Sequence, residues 1–122
     1  MKTRFGIKTF GTSLILYLAF STGCYYDQVY VKPIEGPVSY SANMQPFFDT
    51  SCVSCHSGSE APDLSSPGSY DALINGGYIN TSDPTSSLLY TKIAPGGSMA
   101  TFSSAANTAM TLQWIEEGAL NN

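Results

Sequence analysis

Apolar residues along this chain fall into groups separated by polar, glycine-rich or proline-rich stretches, and the spacing within each group predicts what it forms. The first group runs from Phe10 to Phe20 with Leu14, Ile15, Leu16, Tyr17, Leu18 and Ala19, and it is too short to span a bilayer comfortably. It follows Lys2, Arg4 and Lys8 and leads into Ser21, Thr22 and Gly23. That order of charge, apolar run and small residues predicts a secretory signal peptide over residues 1–23. From residue 24 to 39 the chain carries Pro33 and Pro37, which break any helix, so this stretch is expected as a tether, with a packed β-strand around Val29 to Val31 as the alternative. Met44, Phe47, Phe48 and Val53 then recur with three- and four-residue spacings, predicting a short first helix through Ser41 to Cys52, with Pro46 fitting only near its start.

A polar run from Ser57 to Gly68 reads as loop, and a short helix is expected from about Ser69 to Ile74, closed by Gly76 and Gly77. Asp83 before Pro84 reads as an N-cap with proline at the first helical position, opening a helix that carries Leu88, Leu89, Tyr90 and Ile93 and ends at Pro95-Gly96-Gly97. The last helix begins near Ser103 or Ser104. Ala106, Met110 and Trp114 lie along one side, Ala109, Leu112 and Ile115 along another, and Gly118 stops it. Apolar on both sides, it is expected to be sandwiched. The expectation is therefore an all-α domain of about four short helices over residues 40–122. About 80 residues bury too little apolar surface to be safely stable alone, so a covalently held apolar group would be structural as well as functional.

Charge narrows the partners. The 122 residues hold five basic and nine acidic side chains. Residues 1–23 contain three of the basic ones and none of the acidic, so their removal leaves Lys32 and Lys92 against nine carboxylates, a formal charge of −7. Such a chain repels nucleic acid phosphates. Its expected partners are positively patched proteins, or proteins met by tethered diffusion over one membrane; acidity also simply keeps a small exported domain soluble.

The strongest chemical signal is Cys52-Val53-Ser54-Cys55-His56. Cys-x-x-Cys alone fits a zinc site, a thioredoxin-like redox pair or a disulfide. A histidine directly after the second cysteine makes it the attachment signature of a c-type haem, in which each thiol adds across one vinyl group and the histidine is held against the iron. His56 is the only histidine, so bis-histidine ligation within one chain is excluded. The sixth position falls to methionine, a rarer ligand, water or nothing. Beyond the signal there are three methionines. Met44 and Met110 lie on helical apolar stripes and read as core. Met99 lies 43 residues beyond His56 in a glycine-flanked loop with no helical stripe to explain it, and it is the expected axial ligand. Lys92 competes weakly, because an amine must lose its proton to bind. A thioether favours ferrous iron and closes the coordination sphere, which suits electron transfer better than turnover.

Two resemblances extend this reading. Gly23 directly before Cys24 resembles the lipobox of bacterial lipoproteins, in which the cysteine is acylated and becomes the mature N-terminus; Ser21 stands where leucine is usual. Cleavage by ordinary signal peptidase and an uncleaved anchor are the alternatives. With Cys24 carrying lipid and Cys52 and Cys55 carrying haem, no thiol is left over, and an exported or periplasmic, outer-membrane-tethered location agrees with the site of haem attachment. From about Tyr40 to Ala119 the chain resembles the small single-haem cytochrome c domains of bacteria, especially the short planctomycete and Bacteroidetes types. The matching residues are Gln45-Pro46-Phe47-Phe48-Asp49 running into the haem motif, Asp83-Pro84, Ser87-Leu88-Leu89-Tyr90, Met99, and Gln113-Trp114-Ile115-Glu116-Glu117-Gly118-Ala119. The resemblance implies a cytochrome c fold around one covalent haem, with the first and last helices crossing. It also implies a single-electron carrier, not itself a catalyst, working as a monomer or as a subunit of a redox complex. The family's distal methionine is usually followed by proline; Ala100 stands there. A five-coordinate haem for gas binding or peroxidatic chemistry, and a disulfide-bonded module without haem, are the competing readings.

Overall fold

The computed structural model describes residues 31, 32 and 34–122. The expected signal peptide, Cys24 with its lipid, and most of the tether lie outside the described residues. Among those described, the chain is all-α with no strand: a π-helical turn (Tyr40–Met44), α1 (Gln45–Ser51), α2 (Ser69–Asn75), a 3-10 turn (Pro84–Ser86), α3 (Leu88–Ile93), a second 3-10 turn (Ala100–Phe102) and α4 (Ala105–Glu116). None of these helices is long and apolar enough to cross a membrane.

Local chemistry explains the boundaries. Ser39 caps the π-helical turn, its hydroxyl accepting from Ala42 N at 3.2 Å while its own N–H donates to Asn43 Oδ1 at 2.9 Å. The wider register, with Gln45 N–H donating to Tyr40 O, ends immediately before Pro46. Proline cannot donate and its ring crowds the carbonyl four residues back, so an α-helical register could not run through this point unbroken. The helix expected to run on from Pro84 is instead split in two at Ser87, whose ψ of 130° is extended. Ser87 Oγ accepts from Asn80 N at 2.9 Å and is almost fully buried, so a tertiary hydrogen bond holds the break open. Asp83 makes no capping bond there. Ser104 caps α4 by accepting from Asn107 N. At its other end Gly118 N donates to Ile115 O and Ala119 N to Trp114 O, the paired bonds of a Schellman stop, with Gly118 at φ +97°.

The core is aromatic and sits where the first turns meet α4. Met44, Phe48, Leu73, Trp114 and Ile115 are fully buried, and Met110 joins them in the same cluster. The Tyr40 ring lies 5.3 Å from Trp114 and 5.1 Å, edge-on, from Tyr70. Its hydroxyl donates to Ser69 Oγ at 2.7 Å; Ser69 in turn donates to Gln45 Oε1, tying α2 to α1. Burial pushes the Tyr40 phenol up to about 12, the Ser69 bond partly opposing it. The raised value favours the neutral phenol in the fold, so this contribution is complete below about pH 10 and declines as pH rises towards 12.

Residues 34–39, the end of the stretch expected as a tether, are bonded to the last helix although Glu35, Gly36 and Pro37 stay exposed. Val38 is buried and its N–H donates to Glu117 Oε2 at 2.7 Å, while Gln113 Nε2 donates to the carbonyls of Ile34 and Gly36. Asn122 adds further bonds, accepting from Tyr40 N and Ser41 N. The two ends of the described chain are thus laid side by side along α4. On the other flank of that helix Thr108 Oγ1 donates to Ile93 O of α3.

Trp114→Ala should lower stability to chemical denaturant by about 3–5 kcal/mol, as for other fully buried large aromatics. Gly118→Ala should cost about 1 kcal/mol, because an added Cβ meets no neighbour but the residue must keep its positive φ. Equal stabilities for the two variants would contradict this core.

Candidate functional site

The end of α1 generates the site. Cys52 caps the helix, its N–H donating to Phe48 O, and Cys55 N and His56 N then both donate to Cys52 O at 3.1 and 2.9 Å. This tight turn puts Cys52, Cys55 and His56 on the wall of one cavity of about 470 Å³, within the ~300–1,000 Å³ range of small-molecule and cofactor sites. The loop that follows wraps the histidine: Leu64 N donates to His56 O, and His56 Nδ1 lies 3.2 Å from Pro62 O and 3.3 Å from Glu60 O. A carbonyl oxygen only accepts, so Nδ1 carries a proton and Nε2 is the ring nitrogen left for another partner. Asp63 stiffens the same loop. Its carboxylate accepts from Ser65 Oγ and Ser65 N, which hold its carboxyl below the usual range.

Phe47, Phe48, Leu64, Leu89 and Ile93 make the cavity predominantly apolar. Met99 reaches the cavity from the far part of the chain. Gly97 lies so close to the carbonyl oxygens of Thr91 and Lys92 that a Cβ would approach them to 2.3 Å. This contact turns the loop back, and Met99 N donates to Lys92 O at 2.8 Å. Met99 is 38% exposed, whereas Met44 is fully buried and Met110 nearly so, and neither lines the cavity. The four expected cofactor residues, Cys52, Cys55, His56 and Met99, therefore share one cavity. The chain also brings Glu60, Tyr78, Leu88 and Phe102 to it, none of which the sequence had singled out. Phe102 and Leu88 are exposed at 59% and 43%, unlike ordinary core residues. The last helix contributes nothing to this wall: both of its flanks are taken by the 34–39 segment, the core and α3.

The thiols discriminate among the chemistries open to Cys-x-x-Cys. Both are free; Cys52 is partly buried and Cys55 exposed. Burial pushes the Cys52 thiol up to about 11. A redox-active cysteine needs the opposite shift, normally from a helix N-terminus or a nearby cation, and Cys52 sits at a helix C-terminus. Among the described residues no three His, Cys, Asp or Glu side chains converge as a tetrahedral zinc site would require. Two free cysteines therefore stand on one rim of an apolar cavity, beside an imidazole whose Nδ1 faces two backbone carbonyls. This donor set fits a flat apolar metal-bearing group held by two thioethers and one imidazole.

No protein-family model, curated protein or solved structure matches the chain.

With its thiols unmodified, the folded chain should react with iodoacetamide at Cys52 in proportion to a thiolate fraction that rises through about pH 11. Reaction at Cys52 with a midpoint below pH 8, read by peptide mass mapping, would contradict its burial and restore the redox-pair reading. Gly97→Ala should displace the Met99 loop, seen as a change in the amide signal of Met99 with those of α4 unmoved.

Proposed function

We propose that this chain is an exported c-type cytochrome that carries single electrons between redox proteins, with one haem bound through Cys52 and Cys55. In this reading His56 is the proximal ligand of the iron and Met99 the distal one. The observation that carries the reading is the carbonyl-held Nδ1–H of His56, which leaves Nε2 free in the apolar cavity that also contains both thiols and the Met99 loop. The resemblance of residues 40–119 to small bacterial single-haem cytochromes adds to it, as does the export signal expected over residues 1–23.

Haem supplies a one-electron couple between ferrous and ferric iron. The chain's own residues would set how that couple behaves. His56, with Nδ1–H donating to Glu60 and Pro62, is oriented in advance and made a stronger donor at Nε2. The Met99 thioether, soft and neutral, favours the reduced state. Phe47, Phe48, Leu64, Leu89 and Ile93 exclude water and disfavour the extra positive charge of ferric iron. Cys52 and Cys55, as thioethers, would prevent loss of the group without taking part in electron transfer. Acylation of Cys24 would hold the carrier at a membrane, with the 24–33 segment as the spacer to the packed residues 34–39. The acidic body favours partners with positive patches.

One observation favours a second reading. Met99 is 38% exposed and sits on a loop rather than a helix, so a distal side that opens would make the haem five-coordinate and suited to gas binding or peroxidatic chemistry. Absorption spectra of the mature protein, expressed in an exporting host with cytochrome c maturation, separate the two. The carrier reading predicts a sharp low-spin reduced spectrum, a weak far-red methionine-to-ferric band, and negligible carbon monoxide binding within seconds. Met99→Ala should convert the protein to a high-spin form that binds carbon monoxide rapidly. A wild-type protein already high-spin and carbon monoxide-reactive would replace the carrier reading with the second one.

A further inference from the structure

Two charged residues, Glu60 and Lys92, both exposed, belong to the rim of a cavity whose remaining wall is mostly apolar. They differ in surroundings. Glu60 belongs to the loop that grips His56, its backbone carbonyl facing Nδ1, so its charge lies in the segment that carries the thiols and the imidazole. Lys92 stands in the last turn of α3, and its backbone carbonyl holds Met99 N, so its charge lies in the other segment. Among the described residues there are two lysines and no arginine, and Lys32 is already paired with Glu35 away from the cavity. The Lys92 ammonium has no carboxylate within ion-pair distance among the described residues. An unpaired cation on the rim of an apolar cavity, in a chain with a large excess of carboxylates, marks where an anionic substituent of the cavity's occupant is favoured; Glu60 marks where it is repelled.

We infer that Lys92 pairs with a carboxylate of the group bound in this cavity and thereby raises that group's affinity for an electron. The inference rests on the haem reading, since haem is an apolar disc bearing two carboxylates. The pairing neutralises one negative charge close to the iron. Negative charge stabilises the ferric state, so its neutralisation favours the ferrous state, and an unpaired carboxylate reverses the effect. No bond is made or broken. Lys92 acts through the carboxylate and is a positioning and tuning residue, distinct from the ligands.

The test is redox titration of the full mature protein carrying its covalent haem, at low ionic strength and one fixed pH, for wild type, Lys92→Gln, Lys92→Arg and Lys32→Gln. At a fixed ambient potential, Lys92→Gln should lower the ratio of reduced to oxidised protein about fivefold, the size expected for one partly solvated unit charge. Lys92→Arg keeps the charge and should stay within about twofold of wild type. Lys32→Gln removes the same net charge elsewhere and should also stay within about twofold. Raising the salt concentration should shrink the gap between wild type and Lys92→Gln. Equal shifts in Lys92→Gln and Lys32→Gln would overturn the inference, because the effect would then follow net charge alone. A Lys92→Gln protein with haem bound, a low-spin spectrum and an unchanged ratio would overturn it while leaving the cytochrome reading in place. Failure of the wild type to acquire haem would remove that reading and this inference together.

Discussion

The site depends on how the imidazole of His56 is held. Two backbone carbonyls, of Glu60 and Pro62, fix the proton on Nδ1 and leave Nε2 free in an apolar cavity. Neither carbonyl would be in place without the loop that closes through the bond from Leu64 N to His56 O and is stiffened by Asp63 and Ser65. The histidine itself is delivered by the turn at the end of α1, where Cys52 O accepts from two successive amides. Sequence spacing, turn geometry and tautomer thus form one chain of causes. The turn and the pair of carbonyls are backbone groups, and the Asp63 and Ser65 side chains brace the loop that carries them.

The rest of the fold keeps that turn in position. A domain of this size has little apolar surface to bury, and it concentrates what it has in the cluster of Tyr40, Phe48, Tyr70 and Trp114 behind α1. Gln45, Ser69 and Tyr40 tie α2 to the same helix. The 34–39 segment and Asn122 lie along or beside α4, so that helix clamps both ends of the described chain and stands outside the cavity wall. The walls of the cavity then come from α1 and the turn after it, the loop through Glu60 to Leu64, Tyr78, α3 and the Met99 loop, with room between them for an apolar group that would complete the core. Stability and function would then share one ligand.

Much of this was legible in the sequence because the signals were local. The stripe of Met44, Phe47 and Phe48, the Ser104 cap and the Gly118 stop each act within a few residues, and the helices they predicted lie close to where they were expected. Met44 and Met110 read as core from helical spacing and are buried; Met99, which no stripe explained, lines the cavity. The misses have tertiary causes. Ser87 breaks the third helix because its hydroxyl bonds to Asn80, a partnership no spacing announces. Pro37 carried no hint that Val38 would be buried and bonded to Glu117, which is 79 positions along the chain. Leu88 and Phe102 looked like ordinary apolar residues, and only their exposure beside the cavity marks them as part of the site; Tyr78, half-buried against the core, is marked only by its place on the cavity wall. Apolar on both sides, the last helix was expected to be sandwiched, and the docked 34–39 segment, the core and α3 lie against it.

The central claim is that Cys52, Cys55 and His56 form a covalent haem site, and the most direct measurement is the intact mass of the mature protein under denaturing conditions, after expression with cytochrome c maturation machinery. The account predicts one haem retained through denaturation on wild type, with no free thiol at Cys52 or Cys55, and no retained haem on the Cys52→Ser, Cys55→Ser double variant. A wild-type mass equal to the polypeptide with its lipid alone, whether the two thiols are free or joined as a disulfide, would contradict it.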